Sequence, residues 1–361
     1  MMDISIPYYE DKTRISNSNI GWFLNKGPAF LHKMLTEDVP EEDNPVLKRG
    51  TMIHEYILQP EEFQKDYVVW DKSRPSSAQQ EKFCQAYVKH YDELDLNENR
   101  AILSAYKEAY STAGKSDDKM LSEGLKIASM LKDYIDYLKS GDQRIMIGPY
   151  DYQMLKKIKL NVENHKLANK IINATAKLYD TNMGLPNSII SENHHEFHIN
   201  WEYPAIFMKN PDKEGETLPV FSIKCKSLLD GLTLDFQNKK ATIYDLKTTQ
   251  KLWHFEDSIE QYDYLRQLMY YRFAVEWYLE HECGEKSPQS EWTFEFYIIG
   301  IDTTGSYEIR VFTFSEDAFI KDHIGWKIGK ALTDIAWHQM NNKWEHSRAY
   351  YEGDGSETLK L

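Results

Sequence analysis

Apolar spacing changes character near residues 182–186, Asn-Met-Gly-Leu-Pro, and that change limits the chain to folds that combine helices with a sheet. Upstream, apolar residues recur at helical spacing through 83–91, 102–110, 121–138 and 152–172, so 76–178 reads as an all-helical block. Downstream, alternation predicts strands at 196–203, 220–227, 232–236 and 241–247. A helix over 258–280, strands at 292–301 and 307–314, and a helix over 316–341 follow, an order that is α+β or α/β and not a bundle. Near the start, Ser16-Asn-Ser18 caps a helix over 20–35 that Gly27-Pro28 interrupts, and another helix runs from about Gly50 to Leu58, ahead of Pro60. The expected divisions are N-terminal helices (1–70), a helical insertion (71–182), a sheet-bearing core (183–345) and a tail (346–361) that frays from Gly353.

The 361 residues, 41% hydrophobic and 13% aromatic, suffice for one large domain or two ordinary ones. No apolar run approaches the roughly 20 residues of a membrane span, and Met-Met-Asp-Ile-Ser-Ile-Pro is unlike a signal peptide, so the expectation is a cytoplasmic protein with no membrane partner. Three scattered cysteines, Cys84, Cys225 and Cys283, fit neither a disulfide framework nor a four-cysteine metal site and read as reduced thiols. A net charge of −14 excludes a general basic coat. Contact with nucleic acid is then confined to patches such as Lys48-Arg49, Lys156-Lys157 with Lys159, Lys224 with Lys226, Lys239-Lys240, and Arg266 with Arg272. The helical block carries no catalytic pattern and reads as scaffold, DNA-contacting arm or subunit contact.

Chemistry gathers on Ala241–Thr249, where Asp245 and Lys247 lie two apart on a predicted buried strand and so share a face. That sets a metal-binding carboxylate beside a cation able to orient water. Asp230, expected to close the strand 221–229 where Gly231 turns it toward its hairpin partner, and Glu196, on the preceding strand, bring two more acids to the same end of the sheet. Three carboxylates and a lysine at one place are what Mg²⁺-dependent phosphodiester hydrolysis needs: hard oxygen ligands for the ion, and a cation beside the attacking water.

Asp230, fourteen residues, then Asp245-Leu246-Lys247 resembles the PD-(D/E)XK nuclease superfamily, and more narrowly the branch of the RecE-type exonuclease domain (exodeoxyribonuclease VIII), the RecB nuclease domain and phage homologues. Lys48-Arg-Gly-Thr-Met-Ile-His54-Glu-Tyr-Ile-Leu resembles that branch's histidine helix, with Gly50 one turn earlier permitting a close approach. Gln267-Leu-Met-Tyr-Tyr271 matches its Gln-x-x-x-Tyr signature, and Tyr264, Gln267 and Tyr271 share one helical face. The resemblance covers about 14–68 and 190–300. Two places are less regular: the family glutamate is Glu196 or Glu192, Glu196 being preferred for its better alternating strand, and 204–218 reads as an enlarged hairpin loop.

The resemblance implies a restriction-endonuclease-like core: a mixed sheet flanked by helices, plus a helical insertion. It implies His54, Asp230, Asp245 and the Leu246 carbonyl around one Mg²⁺ (Mn²⁺ as substitute), Glu196 supporting that ion or a second, Lys247 positioning water, and Gln267 and Tyr271 holding a phosphate. The implied activity is exonucleolytic attack on duplex DNA ends, 5′ to 3′, by a homo-oligomer supplying single strands to an annealing protein. An endonuclease on the same scaffold and an inactive DNA-binding or structural homologue are the alternatives.

Overall fold

The computed structural model describes residues 6–39, 44–93, 97–174, 177–178, 189–209 and 217–357. The point where the sequence pattern changes, 182–186, lies outside them. The chain forms two compact units, Met1–Gln59 with Lys157–Leu361, and Pro60–Lys156.

In the first unit, α1 (Asn17–Lys26) starts from a capping box in which the Ser16 hydroxyl accepts from the Asn19 amide and the Asn19 side chain accepts from the Ser16 amide. Gly27, with φ of 83°, stops it, and Pro28 opens α2 (Pro28–Thr36). The histidine helix α3 (Pro45–Leu58) begins well before the expected Gly50, because Asn44 caps the Val46 amide and Pro45 is preset for the first turn.

The second unit contains α4 (Pro60–Asp66), β1 (Tyr67–Val69), α5 (Ala78–Glu93), α6 (Glu98–Ala109), α7 (Asp117–Met130), α8 (Lys132–Ser140), β2 (Ile145–Ile147) and the start of α9 (Pro149–Asn164). Phe83, Tyr87, Ile102, Tyr106, Met120 and Leu131 form its core. The block is not helical throughout as expected: β2 pairs in parallel with β1. Three apolar residues in a row carry no period by which to recognise a strand.

Back in the first unit follow α10 (Lys166–Ile172), β3 (Lys177–Leu178), β4 (Ile189–Lys209), β5 (Thr217–Asp235), β6 (Lys240–Thr249), α11 (Phe255–Gln261), α12 (Tyr264–His281), α13 (Pro288–Glu291), β7 (Thr293–Asp302), β8 (Ile309–Phe314), α14 (Glu316–Lys321), α15 (Ile324–Asn341) and α16 (Arg348–Glu352). Six strands make one sheet in sequence order. All neighbours are antiparallel except β6 and β7, whose parallel pairing uses α11–α13 as the crossover. The fold is thus mixed α/β with helices flanking a mixed sheet, as expected.

Four local expectations are corrected. Asp230-Gly231 is not a turn: β5 runs straight through it, so the two strands expected at 220–227 and 232–236 are one. Gly231 is needed instead for packing, since a Cβ there would lie 1.8 Å from the Tyr244 ring. The expected loop over 204–218 is largely a continuation of the β4–β5 hairpin, paired from Pro204↔Ser222 to Lys209↔Thr217, with 210–216 outside the described residues. Each of the two long helices is broken by a residue of positive φ, Asp263 (53°) between α11 and α12 and His323 (52°) between α14 and α15. Helical periodicity continues across such a break, which hides it from sequence.

α12 and α15 bury Leu268, Tyr270, Val275, Ile328, Leu332 and Ile335 against sheet residues that include Ile199, Trp201, Ile223, Leu232 and Ile243. α3 lies against the other face: a Cβ at Gly50 would come within 3.3 Å of the Thr248 hydroxyl, whose side chain alternates with that of Lys247. Among the described residues no helix is long and apolar enough to cross a membrane. Gly231→Ala should cost about 3 kcal/mol or more, since the Tyr244 ring it would meet is itself fully buried; the midpoint of urea unfolding measures this.

Candidate metal centre

Glu196 and Asp230 meet where the β4–β5 ladder is irregular. The register on either side, His195↔Gly231 and Phe197↔Leu229, places them opposite each other, yet neither has a ladder partner and Glu196 adopts φ of 47°. Core positions in β5 are odd-numbered up to Leu229 and even-numbered from Leu232, as expected for a strand whose alternation is interrupted there. His54, from α3, lies 3.5 Å by its Nδ1 from Asp230 and hydrogen-bonds the Leu246 backbone. Ligand atoms of His54, Glu196 and Asp230 all lie within 4.8 Å of one another.

Asp245, 1% exposed, sits beside them on β6. Gln267 Nε2 donates to its Oδ1 at 2.9 Å and to the Tyr271 hydroxyl at 2.8 Å. Both amide hydrogens of Gln267 are thus engaged, one of them holding the Asp245 carboxylate. Lys247 Nζ approaches Asp245 Oδ2 at 2.5 Å as an ion pair outside hydrogen-bond angles, leaving that buried oxygen without a hydrogen bond from the described residues. The same ammonium lies 4.9 Å from the centre of the Tyr264 ring. The Leu246 amide donates to Asp230 Oδ2 at 2.6 Å, which ties the β6 backbone to the β5 acid.

Burial, then the charges of Asp230, Asp245 and Glu55, push the Glu196 carboxyl up to about 8. Burial and then Asp230 raise Asp245 to about 6 against the pull of Lys247. Asp230 is raised by burial, opposed by Lys247 and the Leu246 amide. His54 is depressed to about 4 by burial and then by Lys247, so at neutral pH its imidazole is neutral. Burial also works against the charge of Lys247, but Asp245 and Asp230 outweigh it and hold the ammonium above its ordinary value.

One nitrogen and several carboxylate oxygens, within 4.8 Å of one another, form a donor set suited to Mg²⁺ or Mn²⁺, and a divalent cation would neutralise the crowded acids. The residues fit such an ion. Sequence reasoning did not single out Glu55, one residue past His54, whose charge reaches Glu196. Nor did it mark Tyr244, whose hydroxyl lies 2.7 Å from His195 Nδ1 and whose ring packs on Gly231, linking three strands beside the acids. Glu192, the other candidate for the family glutamate, instead contacts His194 Nε2 at 2.9 Å, outside the ligand cluster.

No protein-family model matches the chain, and no curated protein matches it. Among solved structures, the crystal structure of a "Putative exonuclease" from Eubacterium rectale is similar over 100% of this chain and 95% of that one, at 12% identity and a TM-score of 0.44.

A carboxyl with raised pKa keeps a proton in the folded protein that the unfolded chain has lost, so Glu196 makes stability fall as pH climbs from about 4.5 to about 8. His54, depressed, acts in the opposite sense between about 4 and 6.5 and is silent above that. In EDTA, therefore, the Tm should fall between pH 6.5 and 8. Glu196→Gln should flatten that slope, and added Mg²⁺ should raise the wild-type Tm most at the upper end of the range; thermal unfolding across pH reads both.

Proposed function

We propose that the chain is a metal-dependent deoxyribonuclease that hydrolyses phosphodiester bonds at duplex DNA ends. The observation that carries this reading is the meeting of His54, Glu196, Asp230 and Asp245 with Lys247, from helix α3 and three separate strands, in a buried space. Crowding buried acids is costly for folding alone, and a cluster that raises its own pKa values marks a functional site.

His54, Asp230 and Glu196 would hold the ion with Asp245 and the Leu246 carbonyl. When bound, Mg²⁺ or Mn²⁺ polarises a phosphate oxygen and lowers the pKa of a water. Lys247, held between Asp245 and the Tyr264 ring, orients the attacking water and offsets charge gathering on the phosphate. Gln267, with Tyr271 behind it, keeps Asp245 in its rotamer, and the Leu246 amide does the same for Asp230. Attack from the 5′ end, assembly into a homo-oligomer and hand-over to an annealing protein extend the proposal through the family resemblance.

Linear duplex labelled at either the 5′ or the 3′ end, with closed circular DNA as control, tests the reading. Mg²⁺-dependent loss of the 5′ label with the circle intact is the expected result; cleavage of the circle would assign an endonuclease, and no hydrolysis with either metal would leave only a DNA-binding homologue. Lys247→Ala should lower hydrolysis by roughly 10²- to 10⁴-fold with the circular dichroism spectrum unchanged, and Asp230→Ala should abolish Mg²⁺ binding in calorimetry. Full activity in Lys247→Ala would sink the assignment.

A further inference from the structure

Two residues from the carboxylates, Lys247 pairs with Gly300 on β7, and Gly300 pairs with Arg310 on β8. Residues opposite one another in a ladder project from the same face, so Lys247 and Arg310 rise on one side of the sheet, two strand spacings or roughly 10 Å apart. Between them Gly300 leaves room for Leu252, whose methyl a Cβ at 300 would meet at 2.6 Å. The next residue, Trp253, is 71% exposed, and the Arg310 guanidinium lies 3.3 Å from its ring centre. The arginine is itself steadied by Glu308 at 2.9 Å.

Trp253 is thus a large ring held flat by a cation on the catalytic face, open to solvent. Beside Lys247, Tyr262, 57% exposed, stacks on Tyr264 with centroids 5.7 Å apart. The intervening helix α11 carries exposed Glu256, Asp257 and Glu260, which repel phosphates. A surface with open aromatic faces, buttressing cations and acids nearby is poorly matched to a duplex backbone and well matched to the face of an unpaired base.

Resting on the nuclease reading, we propose that Trp253, braced by Arg310, is a stacking subsite for an unpaired base of the strand being cut. At a rise of about 3.4 Å per nucleotide, the distance from Lys247 puts that base within about three nucleotides of the scissile phosphate. The subsite favours ends that are frayed or already single-stranded, and it holds the strand after each cut.

The test scans 2-aminopurine through the terminal nucleotides of a duplex with a short single-stranded end, bound in EDTA so that nothing is hydrolysed. Wild type should quench one position within about three nucleotides of the bond cleaved in Mg²⁺. Trp253→Ala should lose that quenching and weaken binding about 5- to 100-fold, with Tm unchanged since the ring is exposed; Trp253→Phe should retain most of both. Unchanged quenching and affinity in Trp253→Ala, with wild type still cleaving DNA, overturns the subsite alone. Wild type that neither binds nor cleaves DNA overturns the nuclease reading and the subsite with it.

Discussion

Like-charge crowding among Glu196, Asp230 and Asp245 is the constraint around which the first unit is arranged. Burial raises all three carboxyls, and repulsion adds to it at Glu196, from Asp230 and Asp245, and at Asp245, from Asp230. Several neighbours ease that repulsion, although Glu55 adds to it at Glu196. Lys247 supplies a charge to Asp245, the Leu246 amide a donor to Asp230, and Gln267 a donor to Asp245. His54 comes in neutral, so it adds a nitrogen donor without another charge.

Holding such a group together requires backbones to approach more closely than ordinary side chains allow. Gly231 admits the Tyr244 ring, and Tyr244 reaches His195, so the strands bearing the three acids are pinned beside them. Gly50 lets α3 lie on β6 at Thr248, which brings His54 one turn later to the acids. The left-handed backbone at Glu196 interrupts the ladder, and there His54 from the helix on one face meets acids of which Asp245 is braced by α12 on the other.

Much of this was legible in the chain. Two residues apart on a strand means one face, so Asp245 and Lys247 had to be neighbours, and one helical face had to gather Tyr264, Gln267 and Tyr271. The errors share a cause. Gly231 looked like a turn because glycine signals both turns and close packing, and only the presence of Tyr244 across the ladder distinguishes the two. The breaks at Asp263 and His323 left the apolar period undisturbed.

The sequence by itself determined the ingredients: helices then strands, the acids and the lysine follow from local period and residue chemistry, while the mixed sheet and the histidine helix were expected from the family resemblance. Tertiary structure alone decided which acids share a space, that Glu55 and Tyr244 join them, and that Trp253 stands open beside Arg310 on the same face as Lys247. Those relations depend on strand register and on a ladder irregularity. They join residues far apart in the chain, and no local pattern encodes them.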